Sequence, residues 1–172
     1  AKHEGAVVLV NPQNQGKGVT LLKGFEYALQ ANYDAVITMD GDGQHLPEDI
    51  PLFLRAAQET DSAMIIGNRM NSLRNMPFVR VLTNKFMSWM ISAVAKQNVP
   101  DTQCGFRLIK SEALRSVDLK TKKFETESEI IIKVSRMGLR IDSVPIRTIY
   151  SGEKSRIHPI KDTLRFFRFI IG

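Results

Sequence analysis

Two hydrophobic periods alternate along the chain. Residues 6–10, Ala-Val-Val-Leu-Val, are a short apolar run rich in β-branched side chains, which reads as a buried strand. A glycine-containing turn over residues 11–18 follows. From Val19 onward, Leu22, Phe25, Ala28 and Leu29 recur at helical spacing and predict an amphipathic helix to about residue 30. Residues 35–39 predict a second buried strand, broken by Asp40-Gly41-Asp42-Gly43. Pro47 suits the first turn of a helix, and Glu48 and Asp49 suit its positive end. Residues 62–66 predict a third strand. Pro77 opens a longer helix to about residue 95, with an apolar stripe of Val81, Leu82, Phe86, Trp89, Met90 and Ala93. Beyond it the pattern predicts a short strand at 106–109 and a helix over 125–137 capped by Gly138. Residues 139–150 read as extended, and 162–171 as an amphipathic C-terminal helix. Such alternation predicts an α/β layered fold with a mostly parallel sheet, in which ligands gather at the carboxyl ends of the strands.

The chain has 172 residues, which fits one domain, and its 43% hydrophobic content supports a core. A single cysteine, Cys104, excludes an internal disulfide and favours a reducing, cytoplasmic setting. The first residues show no signal-peptide pattern, and no stretch reaches the ~18 apolar residues that span a bilayer. The net charge of +6 favours anionic partners. Lys154, Arg156, Lys161, Arg165 and Arg168 crowd the C-terminal end, away from Asp40 and Asp42. The chain lacks a basic stripe interleaved with aromatics and any nucleic-acid-binding module, so nucleic acid is not expected as a partner.

Chemistry concentrates at Asp40-Gly41-Asp42-Gly43-Gln44-His45. Two carboxylates on a tight turn after a buried strand can reach one hard cation, Mg2+ or Mn2+, and leave its other positions for phosphate oxygens. A solvated turn explains the same residues when they are taken alone. An EF-hand requires other residues where Gln44 and His45 stand. A haloacid-dehalogenase phosphatase would carry Thr or Val at the position of Gln44. Asn14-Gln15-Gly16-Lys17-Gly18, between strand and helix, can draw phosphate to a helix N-terminus. It is not a Walker loop, because Gly18 follows Lys17.

Taken in order, six segments resemble family 2 glycosyltransferases of the GT-A type, especially dolichyl-phosphate mannose and glucose synthases and their bacterial polyprenyl-phosphate relatives. They are Asn14-Gln15-Gly16-Lys17-Gly18, Met39-Asp40-Gly41-Asp42-Gly43-Gln44-His45, Ile66-Gly67-Asn68-Arg69, Asp101-Thr102-Gln103-Cys104-Gly105-Phe106-Arg107, Phe124-Glu125-Thr126-Glu127-Ser128-Glu129 and Ser151-Gly152-Glu153-Lys154-Ser155-Arg156. The resemblance implies a three-layer, Rossmann-like GT-A sandwich lacking the N-terminal strands and acidic loop that grip the nucleobase. It implies a partial GT-A domain over 1–157 and a juxtamembrane helix over 158–172. It implies that Asp40 and Asp42 hold the metal with Gln44 beside them, and that Lys17, Ser155 and Arg156 face the donor. Arg69, Arg80, Gln103 and Gly105 fall on the acceptor side, and Asp101, Glu127 and Glu129 are the catalytic acidic candidates. Ordinary roles compete for some of these: a solvated helix face for Arg80, a helix N-terminal charge preference for Glu127 and Glu129, and a basic loop for Arg156.

The implied reaction is inverting transfer from a nucleotide-diphosphate sugar to an acceptor, expected to be a polyprenyl phosphate. An ionised phosphate acceptor needs no strong base, whereas a hydroxyl acceptor would need Asp101, Glu127 or Glu129. The segment 161–171 mixes Arg165 and Arg168 with Phe166, Phe167 and Phe169, which suits an interfacial helix on an anionic cytoplasmic membrane face and equally a helix packed on the sheet. A homo-oligomer stays open. Rival classes are a sugar nucleotidyltransferase, whose opening glycine-rich signature is absent, and a non-catalytic membrane-associated binding module.

Overall fold

The computed structural model describes residues 2–70, 76–119, 121 and 125–149. A helix, α1 (Lys17–Gln30), leads to strand β1 (Ala35–Thr38). A single 3-10 turn at Pro47–Asp49 runs into α2 (Ile50–Glu59), and β2 (Met64–Asn68) follows. The long α3 (Phe78–Ala95) precedes β3 (Arg107–Lys110) and a short α4 (Ser111–Ser116). α5 (Glu125–Arg136) and β4 (Ile141–Pro145) complete the described elements. Gly138 ends α5 with a φ of 74°, the left-handed cap expected of it.

The four strands form one sheet in the order β1-β3-β2-β4. All five residues of β2 are buried. Successive strand residues point to opposite faces, so both faces of β2 are covered, which makes three layers. Phe53 of α2 stacks on Phe106 with ring centroids 4.4 Å apart. Ile65, Ile66, Leu108 and Ile109 pack in the same core with Ile130 and Ile131 of α5.

The sheet is mixed, a correction to the mostly parallel sheet expected. β2 and β4 pair in parallel, but β3 runs antiparallel to both β1 and β2. Alternation predicts parallel strands only when each helix carries the chain back to the opposite end of the sheet, where the previous strand began. Here the chain leaves β2 at Asn68 and enters β3 at the same end of the sheet, where the Gly67 amide donates to the Phe106 carbonyl at 2.9 Å. The reversed strand therefore slots between two strands of common direction.

Two other expectations change. Residues 6–10 form no strand: Val7 and Val10 are 65% and 66% exposed. A β-branched run is buried as a strand only where a neighbouring ladder receives it, and no described strand pairs with this one. Only part of the stripe expected to bury α3 does so: Met90 packs against the core and Val81 is half-buried, but the rest lies outward. Leu82, Phe86 and Trp89 are exposed, while Asn84, Met87, Ser88, Ile91 and Ala95 face the core. Ser88 turns inward because its hydroxyl accepts the Thr102 amide hydrogen at 2.9 Å. The expected helix at 162–171, and all of 158–172, lie outside the described residues. Among the described residues, no helix is long and apolar enough to cross a membrane.

Candidate active site at the strand ends

β1 ends at Thr38, directly opposite Arg107, the first residue of β3. This register sets the turn before β3 against the turn after β1. The Thr38 hydroxyl donates to the Gly105 carbonyl at 2.8 Å. Asp40 lies over Gly105 so closely that a Cβ there would come within 2.4 Å of Asp40 Oδ2. Only glycine leaves room for that carboxylate.

Lys17, the first residue of α1, reaches the same point. Its Nζ is 2.5 Å from Asp40 Oδ1 and 3.1 Å from Glu127 Oε2. Burial disfavours the charge on Lys17, but Glu127 and Asp40 outweigh it and raise its pKa above the ordinary lysine value. Burial likewise disfavours the Asp40 carboxylate, but the Lys17 hydrogen bond and charge outweigh that and hold its pKa below the usual carboxylate range. Both groups are therefore charged at neutral pH.

The Asp-Gly-Asp turn is held from two sides. The Asp40 amide donates to His45 Nδ1 at 3.2 Å, and the His45 ring lies 5.2 Å from that of Phe106. Burial pushes the His45 pKa down, so the neutral ring serves as acceptor. The Gln44 amide donates to Asp42 Oδ1 at 3.0 Å, and Gly43 takes a φ of 73° that closes the turn. The Ile149 amide donates to the Gln44 carbonyl at 3.1 Å, which ties the turn to the segment after β4.

Residues 101–105 are organised by Arg107, which is 2% exposed. Its guanidinium donates to the carbonyls of Cys104, Thr102 and Glu127 at 2.6, 2.8 and 2.7 Å. Arg69 and Asp101 form a bidentate pair, with Nε to Oδ2 at 2.7 Å and Nη2 to Oδ1 at 2.9 Å. Asp101 Oδ2 also accepts the Arg69 amide at 3.1 Å. With Asp101 at 1% exposure, this buried pair ties the end of β2 to the turn that leads into β3.

Of the expected acidic candidates, then, only Glu127 stands at the Asp40 centre. Glu129 is 1% exposed and turned away; its Oε2 accepts from the Thr121 amide and hydroxyl at 2.8 and 2.6 Å, and its Oε1 pairs with Lys133 at 2.7 Å. Gln103 is half-buried and donates to the Thr102 hydroxyl at 3.2 Å. Arg80 is half-buried on α3. Ser155 and Arg156 lie outside the described residues. The sequence signal missed Arg107 and His45 as site-shaping residues, although both stand inside the motifs.

The donor set suits a hard divalent cation. Asp40 already accepts a cationic ammonium, and Asp42 projects from the same turn into solvent. Among the described residues no group of three His, Cys, Asp or Glu side chains gathers into a protein cage. Two carboxylates plus ligand oxygens is how magnesium-type ions are commonly held.

A family profile described as glycosyl transferase family 2 matches residues 1–118. The chain belongs to glycosyl transferase family 2. It is 31% identical over 150 residues to a UDP-N-acetylglucosamine–dolichyl-phosphate N-acetylglucosaminyltransferase of Methanococcus voltae, covering 84% of this chain and 60% of that protein. It is 31% identical over 149 residues to an undecaprenyl-phosphate mannosyltransferase of Micrococcus luteus, covering 81% and 59%. The chain thus spans about three fifths of the length of these relatives. The fold matches glucosyl-3-phosphoglycerate synthase of Mycobacterium tuberculosis with a TM-score of 0.64 at 18% identity, over 95% of this chain and 54% of that one. That synthase has been crystallised with Mn2+, UDP-glucose and phosphoglyceric acid. The likeness establishes the GT-A layering of this family 2 chain.

Cys104, within this family 2 motif, is fully buried, and burial pushes its thiol up to about 11. It is packing rather than a nucleophile. Native protein at pH 8 is expected to resist iodoacetamide for hours and to react stoichiometrically once unfolded in urea. Prompt alkylation of the native protein, read by mass, would contradict this.

Proposed function

We propose that this chain carries the metal-binding and acceptor-side part of an inverting glycosyltransferase that moves a sugar from a nucleotide-diphosphate sugar to a polyprenyl phosphate. The observation that carries the reading is the convergence of Lys17 and Glu127 on the Asp40 carboxylate, seated on the bare α-carbon of Gly105. The names of the two relatives support the lipid-phosphate acceptor.

Asp40 and Asp42 would hold Mg2+ or Mn2+, with Gln44 beside them. When bound, such a cation offsets charge on the leaving nucleoside diphosphate. Lys17 adds a fixed positive charge at the same point, directed at phosphate oxygens once donor enters. Glu127 keeps Lys17 in place. With a phosphate acceptor, already ionised, no residue need remove a proton; with a hydroxyl acceptor, Glu127 is the carboxylate at hand. The Arg69–Asp101 clamp and the Arg107 hydrogen bonds keep Gln103 and Gly105 in place on the acceptor-side floor. Ser155 and Arg156 remain candidates to close over the donor phosphates. A lipid-phosphate acceptor implies work at a membrane face, the cytoplasmic one on the compartment reading.

Mn2+ binding followed by electron paramagnetic resonance tests this reading. Binding is expected to be weak alone and to tighten when a UDP- or GDP-sugar is added, with transfer to a short-chain polyprenyl phosphate. Absence of any donor-dependent tightening across a nucleotide-sugar panel would sink it. Lys17→Met removes the ammonium that competes for Asp40. This variant should bind Mn2+ more tightly without donor and bind the donor more weakly; the reverse pair of changes would refute the role given to Lys17.

A further inference from the structure

An aspartate that caps a helix ordinarily turns its carboxylate onto that helix's own amide hydrogens. Asp49 does not. It stands at the N-terminal cap of α2 and makes no side-chain hydrogen bond there. Its carboxylate, buried with the residue at 3% exposure, meets instead a residue 98 positions further along the chain. Asp49 Oδ2 accepts the Arg147 amide at 2.9 Å, and Oδ1 accepts from Arg147 Nε and Nη2 at 3.0 and 2.8 Å. The Arg147 side chain is 65% exposed. An ion pair with one partner in water contributes little to overall stability, so three bonds to one residue point to a local task.

The residues after Arg147 show what that task is. β4 ends at Pro145, and the Ile146 amide makes the last bond along β2, to the Asn68 carbonyl at 3.1 Å. The chain then crosses to the Asp-Gly-Asp turn. Thr148 forms an antiparallel bridge with His45, and the Ile149 amide donates to the Gln44 carbonyl at 3.1 Å. Gln44 and His45 in turn hold the two aspartates: the Gln44 amide donates to Asp42 Oδ1, and His45 Nδ1 accepts the Asp40 amide hydrogen. Packing does not fix this turn, because among the described residues nothing lies within 4 Å of where a Cβ on Gly41 or Gly43 would stand. We infer that Asp49 and Arg147 are positioning residues for the cation site. Their pair fixes residues 147–149 as a strap that holds Gln44 and His45, and through them Asp40 and Asp42, in place for a divalent cation. The inference rests on the metal-dependent glycosyltransferase reading and adds to it two residues outside all six motif segments.

Arg147→Met keeps the amide donor and the apolar stem and removes the guanidinium. In the metal-free protein, hydrogen exchange read by NMR is expected to quicken about tenfold at the Asp40 and Ile149 amides and to stay unchanged at Ile65 and Ile131 in the core. Mn2+ affinity in the presence of a UDP- or GDP-sugar, read by electron paramagnetic resonance, should weaken about tenfold in the same variant. Arg147→Lys keeps the charge without the fork and should fall between the variant and the unaltered protein in both measurements. Exchange that quickens equally in the core would make the pair a general stabiliser and overturn the inference. Unchanged exchange at Asp40 and Ile149, or unchanged Mn2+ affinity, would overturn it too. A failure confined to the variants leaves the glycosyltransferase reading intact. If the unaltered protein shows no donor-dependent Mn2+ binding, that reading fails and takes the inference with it.

Discussion

Replacing Asp101 with alanine is expected to destabilise the fold by about 3–5 kcal/mol, the usual effect of removing one partner from a buried ion pair. The Arg69 side chain is 6% exposed and that of Asp101 is fully buried. The substitution removes three acceptor contacts at once, including the one to the Arg69 amide. It also opens the link between the end of β2 and the turn leading into β3. Asp101→Asn keeps the shape and one acceptor oxygen, so a smaller loss is expected. Urea unfolding followed by far-UV circular dichroism measures both. If Asp101→Ala shifted stability by less than about 1 kcal/mol while abolishing transfer, the residue would be catalytic and the clamp assignment wrong.

Gly105→Ala is expected to lower metal-dependent transfer about a hundredfold, the scale on which a misplacement near 1 Å acts in a positioned site. The three atoms nearest an added Cβ all belong to the Asp40 carboxylate, at 2.4, 2.9 and 2.9 Å. The backbone therefore has no reason to move, and the side chain must swing away. Fold stability should change little, while Mn2+ affinity in the presence of donor falls together with turnover. Asp40→Asn provides the matching test, because it keeps the shape and removes the charge. A loss at least as large is expected. Near-normal transfer in either variant would remove Asp40 from the cation site.

Much of this is legible in the sequence. Helical spacing located α1, α3 and α5 to within a residue or two, because apolar periodicity and caps such as Gly138 are local properties. The strand-end position of Asp40 was legible too, since Asp40-Gly41-Asp42-Gly43 interrupts a β-branched run. Non-local facts stayed hidden. The direction of β3 depends on where the chain re-enters the sheet. The outward face of α3 depends on a partner for Ser88 that lies 14 residues away. Arg107 reads as an ordinary cation until its guanidinium is seen satisfying three backbone carbonyls. For Asp101 and Glu129 the sequence shows the carboxylates but not the Arg69, Thr121 and Lys133 that pair with them.

The reversed central strand also bears on how the molecule is made. β3 leaves the ribosome well after β1 and β2, and at about 5–20 residues per second the delay from Asn68 to Arg107 lasts several seconds. Throughout that interval both earlier strands present open ladder edges, the kind of template that recruits foreign chains. The shared gap between β1 and β2 closes only when residue 110 has emerged, and the other side of β2 only when β4 follows at residue 145.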